Sequence, residues 1–283
     1  MTTECIASPA IQIEHLFFKI GNRYLLEDIN WTIQSGEKWV VYGMNGSGKT
    51  TLLSCIAGVQ HYDSGLLKIF GESYTEQNYS MLKRRIGFVS GSFFDNHYHK
   101  ETVLDIVLSG KYGYLGLQYD ISLSDVFHAK ELLKAFHLED MFYRSFNTLS
   151  KGERQNVMIA RALMSNPDIL ILDEPCSGLD LYNRDYLFRI IDLLSSKLNI
   201  TIIYVTHYLE EISDLYTNCL MMKNGKVYAQ GNMKDIMTDK HLEGLLGYPV
   251  LLKQLPDEGY QLTLAEESNL NSSLQRLERL LCI

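Results

Sequence analysis

The sequence has no CxxC pair and no even set of cysteines: Cys5, Cys55, Cys176, Cys219 and Cys282 are scattered along 283 residues. That pattern excludes a disulfide framework and a structural zinc site, so the thiols read as reduced and several of them as buried. No run approaches the roughly 18 to 20 apolar residues needed to span a bilayer. The start Met1-Thr2-Thr3-Glu4-Cys5 lacks the basic-then-apolar pattern of a secretory signal, and the expectation is a cytoplasmic chain. Basic residues are in deficit, 26 Lys and Arg against 34 Asp and Glu for a formal charge of −8. A general nucleic-acid binder needs a basic footprint for phosphates, so no direct nucleic-acid binding is expected. There is no internal repeat and no low-complexity segment.

Apolar residues are plentiful, at 46% enough for one large domain or a domain with a sub-domain. Between Ile11 and Val41, short apolar runs broken by Gly21-Asn22 and Ser35-Gly36-Glu37 predict strands and tight turns, with Lys38 to Tyr42 a buried strand. Thr50 to Gly58 has helical spacing and a glycine stop. Strands follow at Leu66 to Phe70 and Ile86 to Val89, then a mostly helix-patterned block from about Gly91 to Ser165. The continuous apolar runs Ile169 to Leu172 and Ile200 to Val205 match parallel strands covered on both faces, with Leu187 to Leu198 as the helix of a βαβ unit. Lys223-Asn224-Gly225-Lys226 signals a hairpin. After it, Lys234 to Leu246 reads as a helix, Val250 to Leu264 as two short strands around Pro256 to Gly259, and Leu270 to Leu281 as an amphipathic helix.

Gly43-Met44-Asn45-Gly46-Ser47-Gly48-Lys49-Thr50 lies between a strand and a helix. Its glycines let successive N–H groups converge on one anion, the helix adds its positive end, and Lys49 brings a full charge to outer phosphates. Thr50 then offers its hydroxyl to Mg²⁺. Asp173-Glu174 puts two carboxylates at the carboxyl end of a buried strand, the edge where ligands bind in open α/β sheets. Asp173 is suited to Mg²⁺ through water and Glu174 to polarising an attacking water as general base. His207 emerges at that edge after Thr201 to Thr206, placed to hydrogen-bond a γ-phosphate or to orient the water. Leu149-Ser150-Lys151-Gly152-Glu153 opens a helical pattern with Ser150 at the N-cap, a second anion-binding helix end.

In this order, and with Ser177-Gly178-Leu179-Asp180 after the paired carboxylates, the set resembles an ATP-binding cassette (ABC) ATPase over roughly Ile11 to Leu246. The resemblance implies an α/β fold, a P-loop NTPase (RecA-like) core with an antiparallel β sub-domain and an inserted α-helical sub-domain at about 91–165. The ATPase domain would span 8–247, with an extension at 248–283. Gly43 to Thr50, with Thr51, match the Walker A element that holds ATP; Asp173 and Glu174 match the Walker B aspartate and the catalytic glutamate. Ser177 to Asp180 match the D-loop and His207 the switch histidine, so ATP and Mg²⁺ are the implied ligands, Mg²⁺ on Thr50 and Asp173. Leu149 to Glu153 resembles the signature LSGGQ, with Lys151 and Glu153 in place of a Gly and the Gln. In that family two cassettes stack head to tail, so a homodimer, or a dimer with a related cassette, is implied. Ser150, Gly152 and Asp180 then act on ATP held by the partner.

The pattern has departures. Gly91 stands where the family carries the Q-loop glutamine, and Ser90 or Ser92 is a weak substitute. Ile20 precedes Gly21 where an adenine-stacking aromatic is usual, which leaves Tyr24, Phe17 or Phe18, with Tyr24 preferred for the base. Asn96-His97-Tyr98-His99 reads as a polar loop rather than a metal site. Thr102 to Gly110 and Gly113 to Leu117 are similar to a branch that includes metal-chelate and molybdate-type uptake ATPases and some soluble relatives. The leading expectation is an ATPase that powers an integral membrane permease from the inner face of the cell membrane. The alternative is a soluble cassette acting as a nucleotide-dependent switch on a cytosolic machine.

Overall fold

The computed structural model describes residues 8–91, 101–113, 121–255 and 259–265. Cys5, Ser92, Asn96 to His99, Leu270 to Leu281 and Cys282 lie outside them. Cys55, Cys176 and Cys219 are free and buried.

The apolar runs form a six-stranded sheet in the order β5-β6-β7-β3-β8-β9: Ile86–Ser90, Ile169–Asp173, Thr201–Thr206, Lys38–Tyr42, Asn218–Lys223 and Lys226–Asn232. The first five are mutually parallel and β9 is an antiparallel edge. Strands β6 and β7 are buried at every position, as the continuous apolar runs require, since flanking helices cover both faces of a parallel sheet. Asp180 caps α6 (Leu181–Lys197), the connection between β6 and β7, accepting from Asn183 N at 2.9 Å. That cap starts the helix earlier than its apolar spacing suggests. Parallel register pairs Ser90 with Asp173, Asp173 with Val205 and Tyr42 with Thr206. Their carboxyl ends therefore share one edge, the edge onto which α/β sheets bind ligands.

A second, antiparallel sheet has the order β2-β1-β4, from Arg23–Ile33, Ile11–Ile20 and Ser64–Ile69. Its Trp31 meets Trp39 of β3 edge to face, with ring centroids 5.4 Å apart. This contact joins the two sheets through a buried aromatic pair. Asn224 (φ 51°) and Gly225 (φ 77°) both adopt left-handed backbone in the tight β8–β9 turn, as a two-residue hairpin needs. The turn is fixed at both sides: Glu27 N donates to Gly225 O (2.8 Å) and Gly225 N to Ser47 O (2.9 Å).

Between β5 and β6 the described chain is helical. It contains α3 (Val103–Ser109), α4 (Leu123–Ala135) and α5 (Lys151–Leu163), capped by Thr102, Ser122 and Ser150. The helix expected over Lys234 to Leu246 is two: α7 (Met233–Ile236) and α8 (Asp239–Leu246). Met237 leaves helical backbone (ψ 79°), and Thr238 caps the second piece by accepting from His241 N. An N-cap residue competes with helix continuation, and here it wins. The last pair, β10 (Val250–Gln254) and β11 (Tyr260–Leu264), forms a separate two-stranded sheet. Two further α-helices among the described residues are α1 (Lys49–Ile56) and α2 (Tyr79–Arg84).

Candidate active site

Strand β3 delivers the chain into the glycine loop, and the close backbone approaches there explain two of its glycines. A Cβ on Gly43 would lie 2.5 Å from Met222 O, and one on Gly48 (φ 102°) 2.8 Å from Leu25 O. Gly46 is needed for its backbone, φ 78°, rather than for space. Gly48 is the N-cap of α1 and provides no side-chain cap, so the first N–H groups of this helix remain available to an anion. Lys49 is 5% exposed and donates to Gly43 O (2.7 Å) and Met44 O (3.2 Å). Burial pulls its ammonium pKa below the usual value, while Glu174 and Asp173 oppose that shift. A cation held this way, beside two carboxylates and open N–H groups, gains a better environment when a polyphosphate arrives.

The loop opens on a cleft of about 500 Å³ lined by Asn45 to Thr51, by Tyr24, Arg23 and Leu25 from β2, by Glu174, and by Asn224-Gly225. Tyr24 is half exposed, and Phe17 meets it edge on at 6.0 Å. Phe18 packs against the core and Ile20 is exposed. Of the three aromatic candidates, Tyr24 is the one that lines the cleft. Met44, within the loop, is exposed and does not line the cleft.

Asp173 ends β6 at 5% exposure. Burial raises its pKa, and the neighbouring Thr50 and Ser90 hydroxyls pull it back. Ser90 Oγ donates to Asp173 Oδ2 at 3.0 Å, whereas Asp173 Oδ1 is buried with no hydrogen-bond partner among the described residues. A buried, unsatisfied carboxylate oxygen beside the Thr50 hydroxyl fits a hard cation that takes oxygen ligands. Among the described residues no group of three or more His, Cys, Asp or Glu could hold a metal alone. Mg²⁺ is compatible with that, because it uses one or two protein oxygens together with substrate phosphates and water.

Glu174 follows with φ 49°, a left-handed backbone that costs a non-glycine residue about 1 to 3 kcal/mol. Its N–H donates to Val205 O (3.0 Å), and its Oε1 lies 3.1 Å from His207 Nδ1. The His207 ring also lies against Tyr208, with centroids 4.0 Å apart and the ring planes tilted by 40°. The edge therefore brings Lys49, Thr50, Asp173, Glu174 and His207 together, an array able to hold a phosphate chain and polarise a water beside it.

Ser150 and Gly152 do not line this cleft. They begin α5, where Ser150 and Glu153 form a capping box: Glu153 Oε2 accepts from Ser150 N (2.6 Å) and Ser150 Oγ accepts from Glu153 N (3.3 Å). The helix end is thus less open than its sequence suggests, with the Lys151 and Gly152 N–H groups left over. Lys151 lies across the D-loop, its Nζ 2.5 Å from where a Gly178 Cβ would stand. Gly91 is exposed, and among the described residues a Cβ there would meet nothing within 4 Å. Sequence reasoning missed the role of Asn224-Gly225 as a cleft wall and the direct Ser90–Asp173 bond. The hairpin motif signalled a turn and nothing of what it would meet.

The ABC transporter family model matches residues 26–177. The uncharacterized ABC transporter ATP-binding protein YlmA of Bacillus subtilis is 35% identical over 242 residues, covering 85% of this chain and 92% of that one. The molybdate import ATP-binding protein MolC of Haemophilus influenzae is 29% identical over 87% of this chain and 91% of its own. An inward-facing putative metal-chelate type ABC transporter superposes with a TM-score of 0.72 at 26% identity, covering 93% of this chain and 99% of that one. The dimeric cassette MJ0796 bound to ADP and Pi gives 0.69 at 26% identity, over 79% and 98% of the two chains. Agreement over nearly the whole length of these proteins settles the kinship: the chain belongs to the ABC transporter family, as one of its ATP-hydrolysing cassettes.

Proposed function

We propose that this cassette binds ATP with Mg²⁺ in the β3–α1 cleft, dimerises around two nucleotides, and passes the work of closure to a separate integral membrane permease at the inner face of the cell membrane. The observation that carries the hydrolytic part is the Glu174–His207 contact at 3.1 Å, at the edge where Glu174 and Lys49 line one cleft. Lys49 and the α1 N–H groups hold the outer phosphates, Glu174 takes the proton of the attacking water, and His207 orients that water or the γ-phosphate. Thr50 and Asp173 are the residues that fit Mg²⁺, which when bound neutralises developing charge on the phosphates. Tyr24 stacks on the base. Ser150 and Gly152 complete the site of the opposing subunit, a reading supported by the dimeric state of the cassette MJ0796.

No helix among the described residues is long and apolar enough to cross a membrane, and the membrane path is assigned to another chain. A tagged Glu174→Gln chain isolated from membranes in ATP is expected to retain a multi-span permease. Recovery of only a uniformly dispersed homodimer, whose ATPase rate ignores membranes, supports the soluble switch instead. Gly91, standing in sequence where the family carries a coupling glutamine, is the observation that favours this second reading.

Removing the Tyr24 ring tests base stacking. Tyr24→Ala is expected to weaken ATP binding by about 1 kcal/mol, roughly fivefold in Kd. Calorimetric titration checks this, and an unchanged Kd moves the stacking role away from Tyr24.

A further inference from the structure

We infer that Glu211 is a positioning residue for ATP hydrolysis, one buried carboxylate that holds the D-loop and the His207 loop in a common register. The inference rests on the ATPase reading above and adds a residue outside the motifs named above.

Glu211 ends a short turn after β7 and is 6% exposed. Its Oε2 accepts two hydroxyl protons, from Tyr204 Oη at 2.9 Å and from Thr206 Oγ1 at 2.7 Å. Each donor leads to a different loop. Tyr204 Oη lies 3.2 Å from Cys176 Sγ; its single proton points at Glu211, so the thiol is the donor in that contact. Burial, and then the Glu211 charge, push the Cys176 thiol up to about 12, which keeps it protonated for the task. Cys176 is two residues past Glu174, and its carbonyl accepts from Leu179 N (3.0 Å) inside the D-loop. On the other arm, Thr206 Oγ1 accepts from Tyr208 N at 2.9 Å, so the Thr206 hydroxyl closes a bracket over the backbone of His207.

The chain Cys176–Tyr204–Glu211–Thr206–Tyr208 therefore runs behind the reacting edge and connects both segments that flank the Glu174–His207 contact. A buried carboxylate is costly unless its oxygens are hydrogen-bonded, and networks of this kind fix one arrangement of their members. None of the five residues lines the phosphate cleft. Their effect on the reaction must pass through the placement of Glu174, His207 and Asp180.

The test uses the full chain carrying Glu211→Ala, Tyr204→Phe or Thr206→Val, with folding checked by circular dichroism. Single-turnover ATP hydrolysis is measured with enzyme in excess, because that rate constant does not depend on the active fraction, and ATP affinity is measured by titration. Glu211→Ala is expected to slow the single turnover roughly 10- to 100-fold while ATP Kd stays within about threefold, since misplacement alone has effects of this size. Tyr204→Phe and Thr206→Val each sever one arm and are expected to give smaller losses, and their combination to equal Glu211→Ala. A folded Glu211→Ala chain at the wild-type single-turnover rate overturns the inference. So does a parallel loss of rate and affinity in Glu211→Ala with both single-arm variants at wild-type rate, which marks a purely structural group. If Glu211→Ala does not fold, the single-arm variants decide, and wild-type rates in both overturn the proposal. A wild-type chain without ATPase activity instead refutes the ATPase reading on which it stands.

Discussion

Glu174→Gln is expected to slow ATP hydrolysis roughly 10²- to 10⁴-fold, the range for loss of a general base, while leaving ATP bound. Glutamine has the same length, keeps a carbonyl oxygen for the His207 ring now 3.1 Å from Glu174 Oε1, and inherits the same left-handed backbone, φ 49°. What is lost is the negative charge and, with it, the capacity to take a proton. The side chain is about a third exposed (32%) and lines the cleft, so the exchange does not unpair a buried charge. ATP should therefore enter and closure should follow, with the reaction stalled afterwards. The measurable signature is paired: a single-turnover rate down by those orders of magnitude, and an ATP-dependent dimer stable enough to elute as such in size-exclusion chromatography. Hydrolysis at close to the wild-type rate removes Glu174 from this role.

Lys49→Ala acts one step earlier, on binding. The ammonium is nearly buried, holds the Gly43 and Met44 carbonyls, and stands beside Asp173 and Glu174. Its removal takes a cation from the place where phosphates collect and leaves two carboxylates facing them. Losing one partner of a buried charged contact costs at least about 2 kcal/mol, or some thirtyfold in Kd. The empty protein behaves differently. Burial already disfavours the charged Lys49, so the melting temperature without nucleotide is not expected to fall for electrostatic reasons, whereas the rise produced by ATP should vanish. Titration calorimetry and a thermal-shift series report the two halves, and unchanged ATP affinity refutes the phosphate-loop assignment.

How much of this could be read beforehand differs by the range of the interaction. The doubly buried strands β6 and β7 were legible because covering both faces leaves uninterrupted apolar residues, Ile169 to Leu172 and Ile200 to Val205. The glycine loop was legible because Gly46 and Gly48 answer to local backbone geometry. The βαβ order then placed Asp173, Glu174 and His207 on one edge without further information. The Glu153 cap on Ser150 is present in the spelling S-x-x-E, and it closes part of the helix end that an anion-binding reading needs open. Ser90 on Asp173 and Gly225 against Ser47 were not legible, since their partners are 83 and 178 residues away and no periodicity encodes them. The break at Met237-Thr238 was hidden for another reason: apolar residues continue helix-like through it, and a single capping hydroxyl decides the outcome.

The left-handed backbone at Glu174 has an evolutionary consequence. Glycine is the one residue that would sit there without strain, so Glu174→Gly relaxes about 1 to 3 kcal/mol of conformational cost while deleting the proton acceptor. Selection for thermal robustness alone would drift toward that substitution, and only selection for turnover opposes it. The position thus sets stability against activity within one residue. A library of this chain screened first for heat resistance and then for ATPase rate should separate along residue 174, with glycine enriched in the first screen and glutamate in the second.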